Sequence, residues 1–198
     1  MLVTLKSNLD LNELAVSIFN ANAAKGFWPE NPTQRPIEQI VCLILTEVAE
    51  AVEAHRKKRF CIAPLIYVLN IQNDEEFKEA FSTLYKDTFQ DEWADTFVRL
   101  FDLAGGYDVQ VQSPQTNIHA YPSHSRAHFH KAVLAITKKL TTLADQRLNT
   151  VGLSTALNIC ISMCYDMARL WEFDLEAHVQ AKLRYNSLRP AMHGGNTY

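Results

Sequence analysis

The sequence predicts an all-α protein, a helical bundle, and three observations lead there. Apolar residues recur at helical spacing along most of the chain, with no convincing alternating strand. Glycine and proline are scarce, 6 and 7 in 198 residues, and fall between the periodic segments. Two matched acidic motifs, Glu47-Val-Ala-Glu50 and Glu92-Trp-Ala-Asp95, ride on apolar helices, each with two carboxylates three residues apart and so on one side of a helix.

The elements follow in order. Residues 10 to 25 read as a first helix that ends before Gly26. A polar, proline-containing loop covers 30 to 35, and Pro36 suits the first turn of a second helix running to about Lys58. Residues 60 to 69 are short and apolar, compatible with a helical turn or an extended piece. Asn73 opens a helix to about Tyr85, and Asp87-Thr88-Phe89 leads into the helix of Glu92 and Asp95, with Gly105-Gly106 as its stop signal. A loop with Pro114 and Pro122 spans 112 to 125. Residues 126 to 147 and 150 to 171 read as two amphipathic helices forming an antiparallel hairpin. Asp174 caps a last helix to about Leu188, before Pro190, and 192 to 198 is a polar tail expected to be mobile.

The chain has the length of one domain, 1–198. Apolar content of 47% and charged content of 21% exclude a disordered chain, and a net charge of -3 gives no reason to expect nucleic acid or an acidic membrane as partner. No N-terminal stretch reads as a signal peptide and no apolar run reads as long enough to span a bilayer, so cytoplasmic residence is expected. Cys42, Cys61, Cys160 and Cys164 sit in apolar sequence with no disulfide framework. Cys160 and Cys164, four apart on a helix, are expected in the core because two thiolates do not close a zinc site.

With about 100° per residue, Glu47 falls roughly 80° and Glu50 roughly 140° from the centre of the second helix's apolar stripe, on the same side. Glu53 lies opposite the stripe and is expected in solvent. Glu92 and Asp95 flank the stripe of their own helix on the corresponding side. Packing the two helices would aim four acids at one seam, where they repel unless a cation intervenes, and Mg²⁺, which prefers carboxylate oxygens and phosphates, fits that role. The competing reading makes these acids the solvated margins of amphipathic helices. On the last helix Lys182, Asn186 and Arg189 share one face and supply groups that could grip phosphate or sugar. Lys25 is a weaker candidate of the same kind. Trp28, Phe27 or Tyr185 could stack on a base, the alternative being that they are core aromatics.

Residues 45 to 54, 91 to 97 and 182 to 190, with Lys25-Gly-Phe-Trp28 ahead of the first acidic helix, resemble the MazG-like superfamily of all-α nucleoside triphosphate pyrophosphatases. The resemblance implies that Glu47, Glu50, Glu92 and Asp95 bind Mg²⁺, with Mn²⁺ as a substitute, and that Lys182, Asn186 and Arg189 hold the nucleotide. It implies hydrolysis of an NTP or dNTP to the monophosphate and pyrophosphate, by a homodimer or homotetramer. One of the four acids would orient or deprotonate the attacking water, with Glu50 and Glu47 as the catalytic candidates. The motifs cover 22 to 58, 87 to 108 and 174 to 194. Two segments, about 60–86 and 112–172, exceed the compact pattern of the family and read as insertions, the second being the helical hairpin. Two other functions compete. A ferritin-like di-metal oxidase needs Glu-x-x-His, and neither Glu176-Ala-His178 nor His128-Phe-His130 has that spacing. A non-catalytic helical scaffold or regulatory nucleotide-binding protein is the alternative that a metal-binding assay separates.

Overall fold

A computed structural model describes residues 10–114, 128–145 and 147–190. It is all-helical, with eight α-helices and no strand among the described residues. They are α1 (Leu11–Ala24), α2 (Ile37–Arg56), α3 (Leu65–Leu69), α4 (Asp74–Leu84), α5 (Phe89–Gly106), α6 (Phe129–Thr141), α7 (Thr150–Trp171) and α8 (Leu175–Ser187). Most of the loop over 112 to 125 and the tail over 192 to 198 lie outside the described residues.

Side-chain caps set most of the starts. Asp10, Asn73, Thr88, Asn149 and Asp174 each accept a hydrogen bond from a first-turn N–H, which would otherwise be orphaned. The ends use left-handed residues. Gly26, with φ 85, closes α1 with Phe27 N–H donating to Asn22 O at 3.1 Å. Lys58 and Asp108 do the same for α2 and α5 with φ 57 and 51, conformations that cost a residue bearing a Cβ.

α5 is the central helix. It packs against α2, α1, α8 and α7, and Phe97, Leu100, Phe101 and Ala104 are fully buried. The 150 to 171 helix appears with the expected bounds, and α6 packs on it as the other arm of the hairpin. α7 departs from one expectation: by length and composition it is apolar enough to cross a membrane. Its residues Cys160, Ile161, Cys164 and Met167 are buried in the bundle, and the Cys164 carbonyl accepts a hydrogen bond from Trp93 Nε1 at 3.2 Å. All four cysteines are free thiols; Cys42, read as apolar in setting, is exposed on α2.

The α3–α4 segment has a small core of its own. Val68, Phe77, Phe81 and Tyr85 pack with Ala181 and Tyr185 of α8, apart from the main core. The region of ambiguous reading resolves into the single short helix α3, preceded by irregular backbone at 60–64.

α5 stops at Gly105 and Gly106 as their composition suggested; they are its last two residues. Their role is close approach. A Cβ on Gly105 would lie 2.5 Å from the Ala15 carbonyl oxygen of α1, and one on Gly106 would lie 2.2 Å from the Trp28 ring. Gly105→Ala therefore sets two effects against each other. Helix propensity favours alanine by about 1 kcal/mol. Overpacking against unyielding backbone costs about 3 kcal/mol. The clash wins, and a thermal melt is expected to fall by about 4–8 °C; an unchanged melting temperature would show that α1 can retreat.

Candidate functional site

The acids enter the site from two crossing helices. Glu47 and Glu50 lie in the second half of α2, and Glu92 lies in the first turn of α5, where the N-terminal dipole favours negative charge. Packing of α2 on α5 brings one carboxylate oxygen each from Glu47, Glu50 and Glu92 within 4.8 Å of one another. Glu47 and Glu92 are buried and Glu50 is exposed. Glu53 is outside the triad, its side chain 43% exposed, and pairs with Arg56 and Lys57.

This triad lines a cleft of about 340 Å³ whose wall also includes Asp95, Arg99, Lys182, Asn186 and Arg189. Asn22 and Phe27 reach it from the α1 end, Lys86 and Asp87 from the end of α4. A smaller lobe of about 170 Å³ adjoins it and shares Glu50, Asp87 and Glu92.

The expected quartet is split. Asp95 lines the cleft, but its Oδ2 lies 2.6 Å from Lys182 Nζ instead of joining the triad. Lys182 is buried, and its Nζ also donates to Asp91 Oδ2 at 2.8 Å. Burial alone would lower the pKa of Lys182; Asp95 and Asp91 more than offset this and hold the ammonium charged. Lys182 is thus an internal counter-ion first.

Glu47 is held similarly, accepting a hydrogen bond from Arg99 Nε at 3.1 Å. Even so, burial and the nearby Asp95 push its carboxyl up to about 7. Burial, with Asp91 and Asp95 close by, pushes Glu92 up to about 9. A buried acid without a cation retains its proton because the ionised form is desolvated and repelled.

Asn186 and Arg189 reach the cleft as the sequence implied, Arg189 from just beyond the end of α8. Lys25 does not line it. Its ammonium donates to the carbonyls of Asn186 and Arg189, at 3.1 Å for the latter, and so fixes the α8 C-terminus that carries both side chains. Trp28 does not line it either. It is buried, donates from Nε1 to Asp102 Oδ1 at 2.9 Å, and lies under the Arg35 guanidinium at 4.7 Å. Tyr185 is stacked on Phe81 at 4.7 Å in the small core. Of the three candidate stacking rings, the structure brings Phe27 alone to the cleft, largely buried.

Asp91, Arg99 and Lys86 are the residues that sequence reasoning missed. One signal was available for the first: Asp91 and Asp95 stand four apart on α5, so two carboxylates on one face called for a cation from elsewhere. Arg99 follows Asp95 by the same interval and extends that face. Lys86 carried no such signal.

Fold and cleft together define an all-α bundle with a polar cleft lined by both carboxylates and cations. Comparison of the chain with protein-family models, with curated proteins and with solved structures finds no match.

Proposed function

We propose that the protein hydrolyses a nucleoside triphosphate, NTP or dNTP, to the monophosphate and pyrophosphate, with Mg²⁺ as cofactor, in the manner of the MazG-like enzymes its motifs resemble. The observation that carries this reading is the convergence of Glu47, Glu50 and Glu92 in one cleft with the phosphate-binding types Asn186 and Arg189. The donor set fits the ion: hard carboxylate oxygens suit Mg²⁺ or Mn²⁺, whereas among the described residues no cysteine and no histidine lines the cleft to favour zinc. The raised carboxyls of Glu47 and Glu92 support it too, since a divalent cation relieves the repulsion that keeps them protonated.

Glu47, Glu50 and Glu92 would hold the ion, which when bound supplies charge neutralisation to phosphate oxygens and a more acidic water. Glu50, the exposed member, is free to orient that water and accept its proton. Arg189 can pair with phosphate oxygens bidentately, and Asn186 can hydrogen-bond sugar or phosphate. Lys182, beneath Asp95, contributes positive potential to the wall of the cleft without leaving its carboxylates.

The deciding experiment measures pyrophosphate release from a panel of NTPs and dNTPs with Mg²⁺. Wild type is expected to release it, and Glu50→Gln to lose about 10²–10⁴-fold in rate. Absence of release together with absence of Mg²⁺ binding would leave a helical scaffold.

A further inference from the structure

The α3–α4 segment ends at the mouth of the cleft, and from this placement we propose that Lys86 is a further phosphate-binding residue; the inference rests on the nucleotide reading above.

Beside Arg189, already placed on phosphate, the cations in and around the cleft leave Lys86 as the further candidate. Lys182 is buried between Asp91 and Asp95, Arg99 is engaged by Glu47, and Lys25 is spent on the backbone carbonyls of α8. Lys86 is paired with its neighbour Asp87 at 2.5 Å, with the two side chains 38% and 54% exposed. An ion pair that open to water contributes little and is exchanged readily. An incoming phosphate offers more charge and several acceptor oxygens, so Lys86 can leave Asp87 for it at small cost.

The backbone that presents Lys86 is nonetheless held in a defined position when the α3–α4 unit is closed. Asp87 has φ 60, a left-handed conformation, and its N–H donates to Asp91 Oδ2 at 3.1 Å. That same oxygen accepts the Lys182 ammonium. A left-handed residue held by a buried carboxylate of the site is backbone strain of the kind that surroundings must over-determine to maintain. Behind it, the segment is bolted to α8. Phe81 stacks on Tyr185, Ser82 Oγ donates to Tyr185 OH at 3.3 Å, and Arg184 binds Asp74 at 2.8 Å. The helix that carries Lys182 and Asn186 therefore also sets the position of Lys86. From residues 60 to 87, Lys86 and Asp87 are the two that line the main cleft.

The test is calorimetric binding of inorganic tripolyphosphate in saturating Mg²⁺, alongside pyrophosphate release from the nucleotide panel. Lys86→Met is expected to weaken tripolyphosphate binding by about tenfold, the loss of one charge-assisted contact. Lys86→Arg should bind within about threefold of wild type, and Lys131→Met, which removes an exposed cation of α6 outside the cleft, should be unchanged. In turnover the same Lys86→Met change is expected in KM, with kcat held within about threefold. If wild type binds tripolyphosphate and Lys86→Met binds it equally well, the inference is overturned while hydrolysis stands. If wild type binds it through Lys86 but cleaves no nucleotide, the hydrolytic reading falls and the inference survives. Failure of wild type to bind tripolyphosphate at all overturns the inference outright.

Discussion

Glu92→Gln is expected to make the metal-free protein more stable and to abolish its response to Mg²⁺. The stability part follows from proton linkage. The Glu92 carboxyl titrates at about 9 in the fold against an ordinary 4.5, and Glu47 at about 7. Between these limits the unfolded chain has released protons that the folded chain retains, so stability is full below about pH 4.5 and is lost as pH rises through 7 toward 9. At pH 8.5 the contribution of Glu92 to that loss is on the order of 3–5 kcal/mol. Glutamine keeps the shape and has no proton to lose. Its melting temperature at pH 8.5 should exceed that of wild type by roughly 10 °C, and the gap should close near pH 4.5. In wild type, Mg²⁺ at a hundredfold excess over its dissociation constant should add about 2.7 kcal/mol, with a larger shift at pH 8.5 than at pH 6 because it competes with protons. In Glu92→Gln most of that increment should vanish. A mutant that melts below wild type at pH 8.5 would sink the account of Glu92 as a buried, repelled acid.

The second large effect concerns Lys182. A cation that served phosphate alone could be removed without harm to the fold, and only KM would rise. Lys182 instead stands between two carboxylates, one of them buried with it. Removing one partner of such a network leaves the others uncompensated and costs about 3–5 kcal/mol. Lys182→Met is therefore expected to lower the melting temperature by roughly 10 °C at neutral pH. Adding Asp91→Asn in the same chain should restore part of that loss, because the stranded charge is then removed. An unchanged melting temperature for Lys182→Met would return the residue to the phosphate-binding role that its spacing suggested.

These two residues mark the boundary of what the sequence could say. The side of α2 on which Glu47 and Glu50 lie is a matter of angle along one helix, and the structure keeps them where the angle put them, with Glu92 opposite. Element starts were equally local: Asp174 caps α8 and Asn73 caps α4 through side-chain oxygens whose spacing to the first turn is visible in the chain. Whether Asp95 would face the triad or a lysine was not local. It depends on a residue of α8, and periodicity along α5 carries no information about which cation that helix will deliver. The same limit explains Trp28. Its place beside Asp102 and against Gly106 is set by three segments meeting, and a motif can report its position in the chain without reporting that it is walled in. Gly105-Gly106 marked the end of α5, but their part in close packing was not legible, since glycine at a helix end and glycine at a helix crossing leave the same trace in the sequence.

α8 belongs to two apolar clusters at once. One face contributes Val179 to the main core, and another contributes Ala181 and Tyr185 to the small core under α3 and α4. Such a shared helix divides the molecule into cooperative units of unequal strength, because seven buried residues protect far less backbone than the main core does. The weaker unit can open while the stronger stays closed, and the amides of α4 then exchange with solvent ahead of those of α5. The triad sits on α2 and α5 in the strong unit, while Lys86 and the left-handed Asp87 close the weak one. Among the described residues, opening of the smaller unit therefore moves the part of the cleft wall that carries Lys86 and Asp87 and leaves in place the part that carries Glu47, Glu50 and Glu92.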